Sequence, residues 1–292
     1  MRVGLQLPNF TWPGGPGKLA PTLAEIARTA DAAGFASLWV MDHFFQIPGM
    51  GPAESDMLDS WTTLGFLSGV TQRVKLGTMI TGVTYRHPGL LAKMATTLDV
   101  LSGGRSYLGI GAAWYEREHK GLGVTFPPRK ERFQRLEETL QIVHQMWSGN
   151  RGPYEGRYYQ LAETMNVPLP LTRPHPPIMV GGGGEQKTLR LAARYGDAVN
   201  VFGDPATVKH KYEVLQHWCE VEGRPYEAME RTTLQTARLD PQDGASVESI
   251  IERFGAYAQA GVQHIIVNMP NVAYIAPLER FGEHIIPAVA SF

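Results

Sequence analysis

Cysteine is nearly absent: Cys219 stands alone in the chain. One thiol cannot close an internal disulfide, and no multi-cysteine zinc site can be built. Its neighbours Tyr212, Leu215 and Trp218 share a helical apolar face, which assigns Cys219 to packing rather than catalysis. A surplus of charge is also missing. Lys and Arg number 27 and Asp and Glu 28, leaving a formal net charge of −1. With no basic tract and no acidic tail, no nucleic-acid partner is expected. No stretch approaches the roughly 18 apolar residues needed to span a bilayer. The opening residues 1–7 lack the basic segment and long apolar run of a signal peptide. The expectation is a cytoplasmic protein without a membrane partner. No His-x-His pair follows the first strand candidate, which argues against a barrel metallohydrolase, so no metal is expected.

What is present is alternation. Eight short apolar runs read as strands: Val3–Leu7, Ser37–Met41, Val74–Ile80, Ser106–Ile110, Pro177–Val180, Ala198–Phe202, Thr232–Ala237 and His264–Val267. Several are continuously apolar, as parallel strands covered on both faces are. Helix-period segments separate them, with stripes such as Leu23, Ile26, Ala30, Ala33 and Phe133, Leu136, Leu140, Val143, Trp147. Gly34, Gly103, Gly196 and Gly261 are placed to cap helices shortly before a strand. Repeated β-then-α order implies a parallel sheet. Eight repeats predict an α/β protein, a (β/α)8 TIM barrel formed by residues 1–292 as one domain. An open doubly wound sheet would want a glycine-rich turn after the first strand. Leu7-Pro8-Asn9-Phe10 is no such turn. Asn150–Leu161 reads as a hairpin, and the segment 166–177, with Pro168, Pro170, Pro174, Pro176 and Pro177, as an extended connector. Together they form an insertion before the fifth strand.

Barrel chemistry sits at the C-terminal ends of the strands. After the second strand stand Asp42 and His43, an acid beside a histidine, suited to proton transfer. A packed loop histidine beside a turn aspartate is the bland alternative. Within the third strand, Gly77 suggests a bulge or a close backbone approach. After the fourth, Gly111-Ala112-Ala113-Trp114-Tyr115 passes from small to large side chains and leaves room for a flat ligand. After the fifth come Gly181, Gly182, Gly183 and Gly184, opening a helix. Their backbone N–H groups are expected to converge on a phosphate, supported by the helix dipole. A flexible turn is the alternative.

Taken together, the runs Met41-Asp42-His43-Phe44-Phe45-Gln46, Leu76-Gly77-Thr78-Met79-Ile80-Thr81-Gly82-Val83, Leu98-Asp99-Val100-Leu101-Ser102-Gly103-Gly104-Arg105, Gly109-Ile110-Gly111-Ala112-Ala113-Trp114 and Pro177-Ile178-Met179-Val180-Gly181-Gly182-Gly183-Gly184 resemble luciferase-like monooxygenases of the F420-dependent class. The resemblance spans nearly the whole chain, with the motifs in family order. It implies a barrel that binds the deazaflavin coenzyme F420, or alternatively FMN, at the strand C-termini. It implies a non-proline cis peptide at Met79–Ile80, and Gly181, Gly182 and Gly183 facing the phosphate with Phe202 and Gly203 nearby. It implies Asp42 and His43 beside the reactive ring edge, and a homodimer. Sugar-phosphate dehydrogenases of the family place a carboxylic acid where Trp114 stands here, with Glu116 and Glu118 further on. Trp114, Tyr115, Phe44 and Trp12 therefore predict an apolar, aromatic-lined pocket for a small-molecule substrate.

The activity so implied is hydride transfer, with His43, polarised by Asp42, as the acid or base. An FMN-dependent monooxygenase fed by a separate reductase is the alternative. A barrel that binds without catalysis is the third reading, and the retained Asp42, His43 and glycines speak against it. The longer acidic tail of the deazaflavin calls for basic residues at the cleft mouth, where Arg173, Lys187 and Lys209 are the candidates.

Overall fold

The computed structural model describes residues 1–240 and 244–292. Eight parallel strands form the frame: β1 Arg2–Leu7, β2 Ser37–Val40, β3 Lys75–Thr78, β4 Ser106–Gly111, β5 Ile178–Gly181, β6 Ala198–Val201, β7 Glu230–Thr236 and β8 His264–Asn268. They are hydrogen-bonded in the order β3-β2-β1-β8-β7-β6-β5-β4. Pairing of Leu76 with Ser106 and Gly77 with Tyr107 closes the ring. A two-residue extension of β3, Thr81–Gly82, pairs with the end of β4. All eight expected strands are therefore present, with ends displaced by one or two residues, and they close into the (β/α)8 barrel.

Nine helices matter here: α1 Leu19–Ala33, α2 Ser60–Val70, α3 Pro88–Leu101, α4 Glu116–Leu122, α5 Arg129–Trp147, α6 Thr188–Tyr195, α7 Pro205–Val221, α8 Val247–Gln259 and α9 Ile275–Arg280. Their apolar stripes cover the outside of the barrel, and Leu23, Ile26 and Ala30 are buried as their spacing requires. Gly34 ends α1 at φ 90°, the left-handed conformation a C-terminal glycine supplies. Gly196 differs. Its φ is −89°, and it is a glycine because a Cβ would lie 2.9 Å from Ala192 O. Inside the barrel, Trp39, Met79, Tyr107, Met179, Ala198 and Ile266 form a layer of their own. Gly77 meets the expectation of close approach: a Cβ there would lie 2.5 Å from the Trp39 ring.

The closed N-terminal end of the barrel is sealed by polar groups. His264 Nδ1 lies 2.7 Å from Glu230 Oε1 and its Nε2 lies 2.9 Å from Ser37 Oγ. Trp39 Nε1 donates to the same Ser37 oxygen at 2.6 Å, and Tyr107 donates to Glu230 at 2.8 Å.

The insertion is as expected in kind. Tyr154–Glu155 pairs antiparallel with Gln160–Leu161. The proline-rich connector cannot donate at its prolines, so it is held from outside. Buried Asp99 on α3 accepts from Leu171 N at 2.7 Å and Thr172 N at 2.9 Å. Asp31 on α1 does the same for the turn before β3, accepting from Gln72, Arg73 and Val74 N at 2.8–3.0 Å. Burial alone would raise the Asp31 carboxyl, but these main-chain donors and Arg73 hold it below the ordinary value. A depressed folded-state value means that the stabilisation is full above the unfolded value and is lost as pH falls through the folded one. Asp31→Asn is therefore expected to cost about 1–3 kcal/mol at pH 7. Urea midpoints should show the gap from the wild type narrowing towards pH 3 and closing in stronger acid. A gap independent of pH would show that the charge contributes nothing.

Candidate active site

All eight strands reach a cavity of about 650 Å³ at the C-terminal end of the barrel. Its shape is set at β3. The Met79–Ile80 peptide is cis, as the resemblance implies. The Ile80 side chain lies across the barrel mouth, where a Cβ on Gly181 would fall on Ile80 Cδ1 and one on Gly111 would meet Ile80 Cγ2 at 3.5 Å. Gly181 is thus a glycine because Ile80 fills its side-chain space. Below this apolar surface, Gln6 Nε2 donates to Met79 O at 3.0 Å. Gln6 Oε1 and Asn268 Oδ1 are buried with no partner among the described residues, and both side chains line the cavity. Buried polar atoms are ordinarily paired. An apolar shelf with unpaired oxygens at its foot fits a flat ring that carries hydrogen-bond donors.

The glycine turn divides in two. Gly182, at φ 119°, spends its N–H on Asn200 O at 3.0 Å. The N–H groups of Gly183 and Gly184 have no partner among the described residues and precede the start of α6. Phe202 lines the cavity, whereas Gly203 packs against Thr207 and does not. Beyond the turn runs a second depression of about 580 Å³, lined by Arg129, Lys130, Lys187 and Lys211 beside Gly184 and Glu185. Arg129 and Phe133 border both spaces. Of the three basic residues expected at the mouth, only Lys187 is there. Arg173 instead donates to Pro170 O, and Lys209 lies on α7 outside the lining.

The acid–histidine pair needs correction. Asp42 does not touch His43. Its carboxylate, buried in the cavity wall, accepts from Ser60 Oγ and from Arg86 Nη1, each at 2.6 Å. His43 Nδ1 lies instead 2.6 Å from Glu118 Oε1 on α4. Glu118 is wholly buried and also accepts from Tyr85 OH, from Phe44 N at 2.8 Å and from Phe45 N at 3.3 Å. Burial works to raise its carboxyl, but the hydrogen bonds from His43, Tyr85 and Phe44 N and the charge of His43 hold it below the ordinary value. The carboxylate is thus ionised and accepts the Nδ1 proton. That leaves His43 Nε2 as the nitrogen open to the cavity. Burial, and then Glu118, hold the Tyr85 phenol far above its ordinary value, so it stays a donor.

The expected aromatic pocket is smaller than four residues. Trp114 lines the cavity, edge-on to His43 at 5.6 Å between centroids and stacked on Tyr115 at 5.1 Å. Tyr115 lies behind it, buried, its hydroxyl on Gln46 O at 3.2 Å. Phe44 turns away to meet Tyr85 edge-on at 5.2 Å. Trp12 packs on Phe10 in the core. Trp114 is aimed by Ala113, whose φ of 56° is rare for a side-chain-bearing residue and whose carbonyl accepts from Arg132 Nη1 at 3.1 Å.

Glu118, Tyr85, Gln6, Asn268 and Arg132 were not among the expected site residues. A signal existed for Glu118: Tyr115, Glu118 and His119 share one helical face, and all three are buried. Glu118→Gln should remove the carboxylate that holds a proton on His43 Nδ1. Long-range ¹H–¹⁵N spectra are expected to show the proton on Nδ1 in the wild type and a mixture in the variant. An unchanged tautomer would refute the role given to Glu118.

Comparison with known proteins follows this geometry. The family model described as luciferase-like monooxygenase matches residues 1–269. An F420-dependent glucose-6-phosphate dehydrogenase of Kineococcus radiotolerans is 30% identical over 280 residues, covering 92% of this chain and 78% of that protein. An F420-dependent hydroxymycolic acid dehydrogenase of Mycobacterium tuberculosis is 33% identical over 176 residues, covering 60% of this chain and 47% of that one. Among solved structures, an F420-dependent secondary alcohol dehydrogenase in complex with an F420-acetone adduct aligns over 99% of both chains with a TM-score of 0.81 at 20% identity. The monooxygenase RslO1 from Streptomyces bottropensis aligns over 98% of this chain and 99% of its own with a TM-score of 0.83 at 18% identity. At those identities the structural likeness speaks for the fold. The barrel, the cis peptide, the glycine turn and the matched family model agree, and the chain belongs to the luciferase-like monooxygenase family.

Proposed function

We propose that this chain is a coenzyme F420-dependent oxidoreductase that moves a hydride to or from a small organic substrate of apolar or aromatic character. The observation that carries the reading is the cationic groove beyond the phosphate turn. FMN ends at its phosphate and would leave Arg129, Lys130 and Lys187 unused beyond it, whereas the acidic tail of the deazaflavin continues along them and Lys211. The names of the relatives support the same cofactor.

The deazaflavin, when bound, supplies the hydride chemistry at its C5. The chain's residues do the rest. The Ile80 shelf and the unpaired Gln6 and Asn268 oxygens receive the ring. Gly183 and Gly184 receive the phosphate through their N–H groups. His43, fixed through Nδ1 by Glu118, holds or takes a proton at the substrate through Nε2. Trp114 walls the substrate space with an apolar face, which disfavours a sugar phosphate. The enzyme works as one barrel in the cytoplasm and pairs as a homodimer. Exposed Phe66 on α2 and Leu90 and Leu101 on the adjoining α3 offer an apolar face for a second copy.

Titration of the protein with F420 and with FMN, followed by fluorescence, tests the cofactor. Saturable binding with a clear preference for F420 is expected. FMN binding alone would make the chain an oxygen-using enzyme with a reductase partner. His43→Ala is expected to leave F420 affinity within about twofold while turnover falls by about 10²–10⁴-fold. The substrate for that assay comes from a screen of alcohols, ketones and enones. Lost affinity with preserved turnover would reassign His43 to binding.

A further inference from the structure

Lys211 already has an anion in the groove. Its Nζ lies 2.5 Å from Glu185 Oε1, and His210 Nε2 lies 3.1 Å from the same oxygen. The lysine stem runs beside the phosphate turn, where a Cβ on Gly183 would meet Lys211 Cε at 3.7 Å. Glu185 is itself fixed at the main chain, because its carbonyl accepts from Trp218 Nε1 at 2.8 Å. The lining of the groove thus sets a single carboxylate among Arg129, Lys130, Lys187 and Lys211.

We propose that Glu185 is an internal anion that occupies Lys211 and competes with the acidic tail of the ligand, so that it sets affinity for the tail and not for the ring. This rests on the deazaflavin reading above. An ion pair whose carboxylate keeps its access to solvent contributes little, so displacing it is cheap for a ligand that meets several cations at once. A ligand with one anionic group gains less, because attraction to Lys211 is offset by repulsion from Glu185 a few ångströms away. Several carboxylates on one tether engage the remaining cations at high effective concentration and complete the exchange. Glu185 is in this sense a specificity-determining residue for how many charges the cofactor carries.

The test compares the full chain with Glu185→Gln, Lys211→Gln and the double variant. Fluorescence titration uses F420 with its tail and the deazaflavin riboside, which lacks both phosphate and tail. Glu185→Gln is expected to bind F420 about three- to fivefold more tightly at low salt. It should bind the riboside within about twofold of the wild type. The gain should vanish near 0.5 M salt, where screening acts over only a few ångströms, and should be absent in the Lys211→Gln background. Equal effects on both ligands, or no effect on F420, would overturn the proposal while leaving the cofactor reading intact. A wild type that binds neither compound overturns both.

Discussion

A carboxylate sealed from water must be surrounded by donors, because an unpaired buried charge costs several kcal/mol. Glu118 meets that demand with groups from two other loops: His43 and the Phe44 and Phe45 N–H groups after β2, and Tyr85 after β3. The carboxylate comes from α4, after β4. Three consecutive strand-to-helix connections are thereby tied to one point. The wall of the cavity, the tautomer of His43 and the protonation of Tyr85 are consequences of the same requirement. It also fixes where Trp114 stands, since Tyr115, beneath it, lies next to the first turn of α4.

The second constraint is steric. Ile80 occupies the space of the side chain that Gly181 does not have, and a Cβ on Gly109 would fall on Thr78 O. Glycines of two motifs are in this way partners of the segment from Thr78 to Ile80. Gly183 and Gly184 stand outside this packing, their N–H groups without a partner among the described residues, and the lysine-lined groove begins beside Gly184.

The architecture was legible because it depends on local pattern. Parallel strands buried on both faces read as short apolar runs, and closure needs only their number. Gly34 followed from its left-handed turn, while Gly196 was right in place but owes its identity to Ala192 O, a contact no spacing rule reveals. In the site, adjacency misled. Asp42 and His43 both border the cavity, yet Asp42 went to Ser60 and Arg86 while His43 went to Glu118, 75 residues on, because partners depend on which loops meet and not on sequence neighbourhood. Trp12 and Phe44 read as pocket residues because aromatic content is visible in sequence and side-chain direction is not. Gln6 and Asn268 come from strands at opposite ends of the chain, and only ring closure makes them neighbours.

The network at the closed end of the barrel carries a warning about recognition by constellation. Ser37, His264 and Glu230 hold the contact order of a hydrolytic triad, hydroxyl to imidazole to carboxylate, at distances a nucleophile would require. Yet the serine oxygen also receives the Trp39 indole N–H, a Cβ on Gly4 would fall on it, and Ser37 has no exposure to solvent. The same three residue types that elsewhere cleave esters serve here as a plug. A template search scored on distance alone would name this protein a hydrolase, and the missing approach path is what denies it.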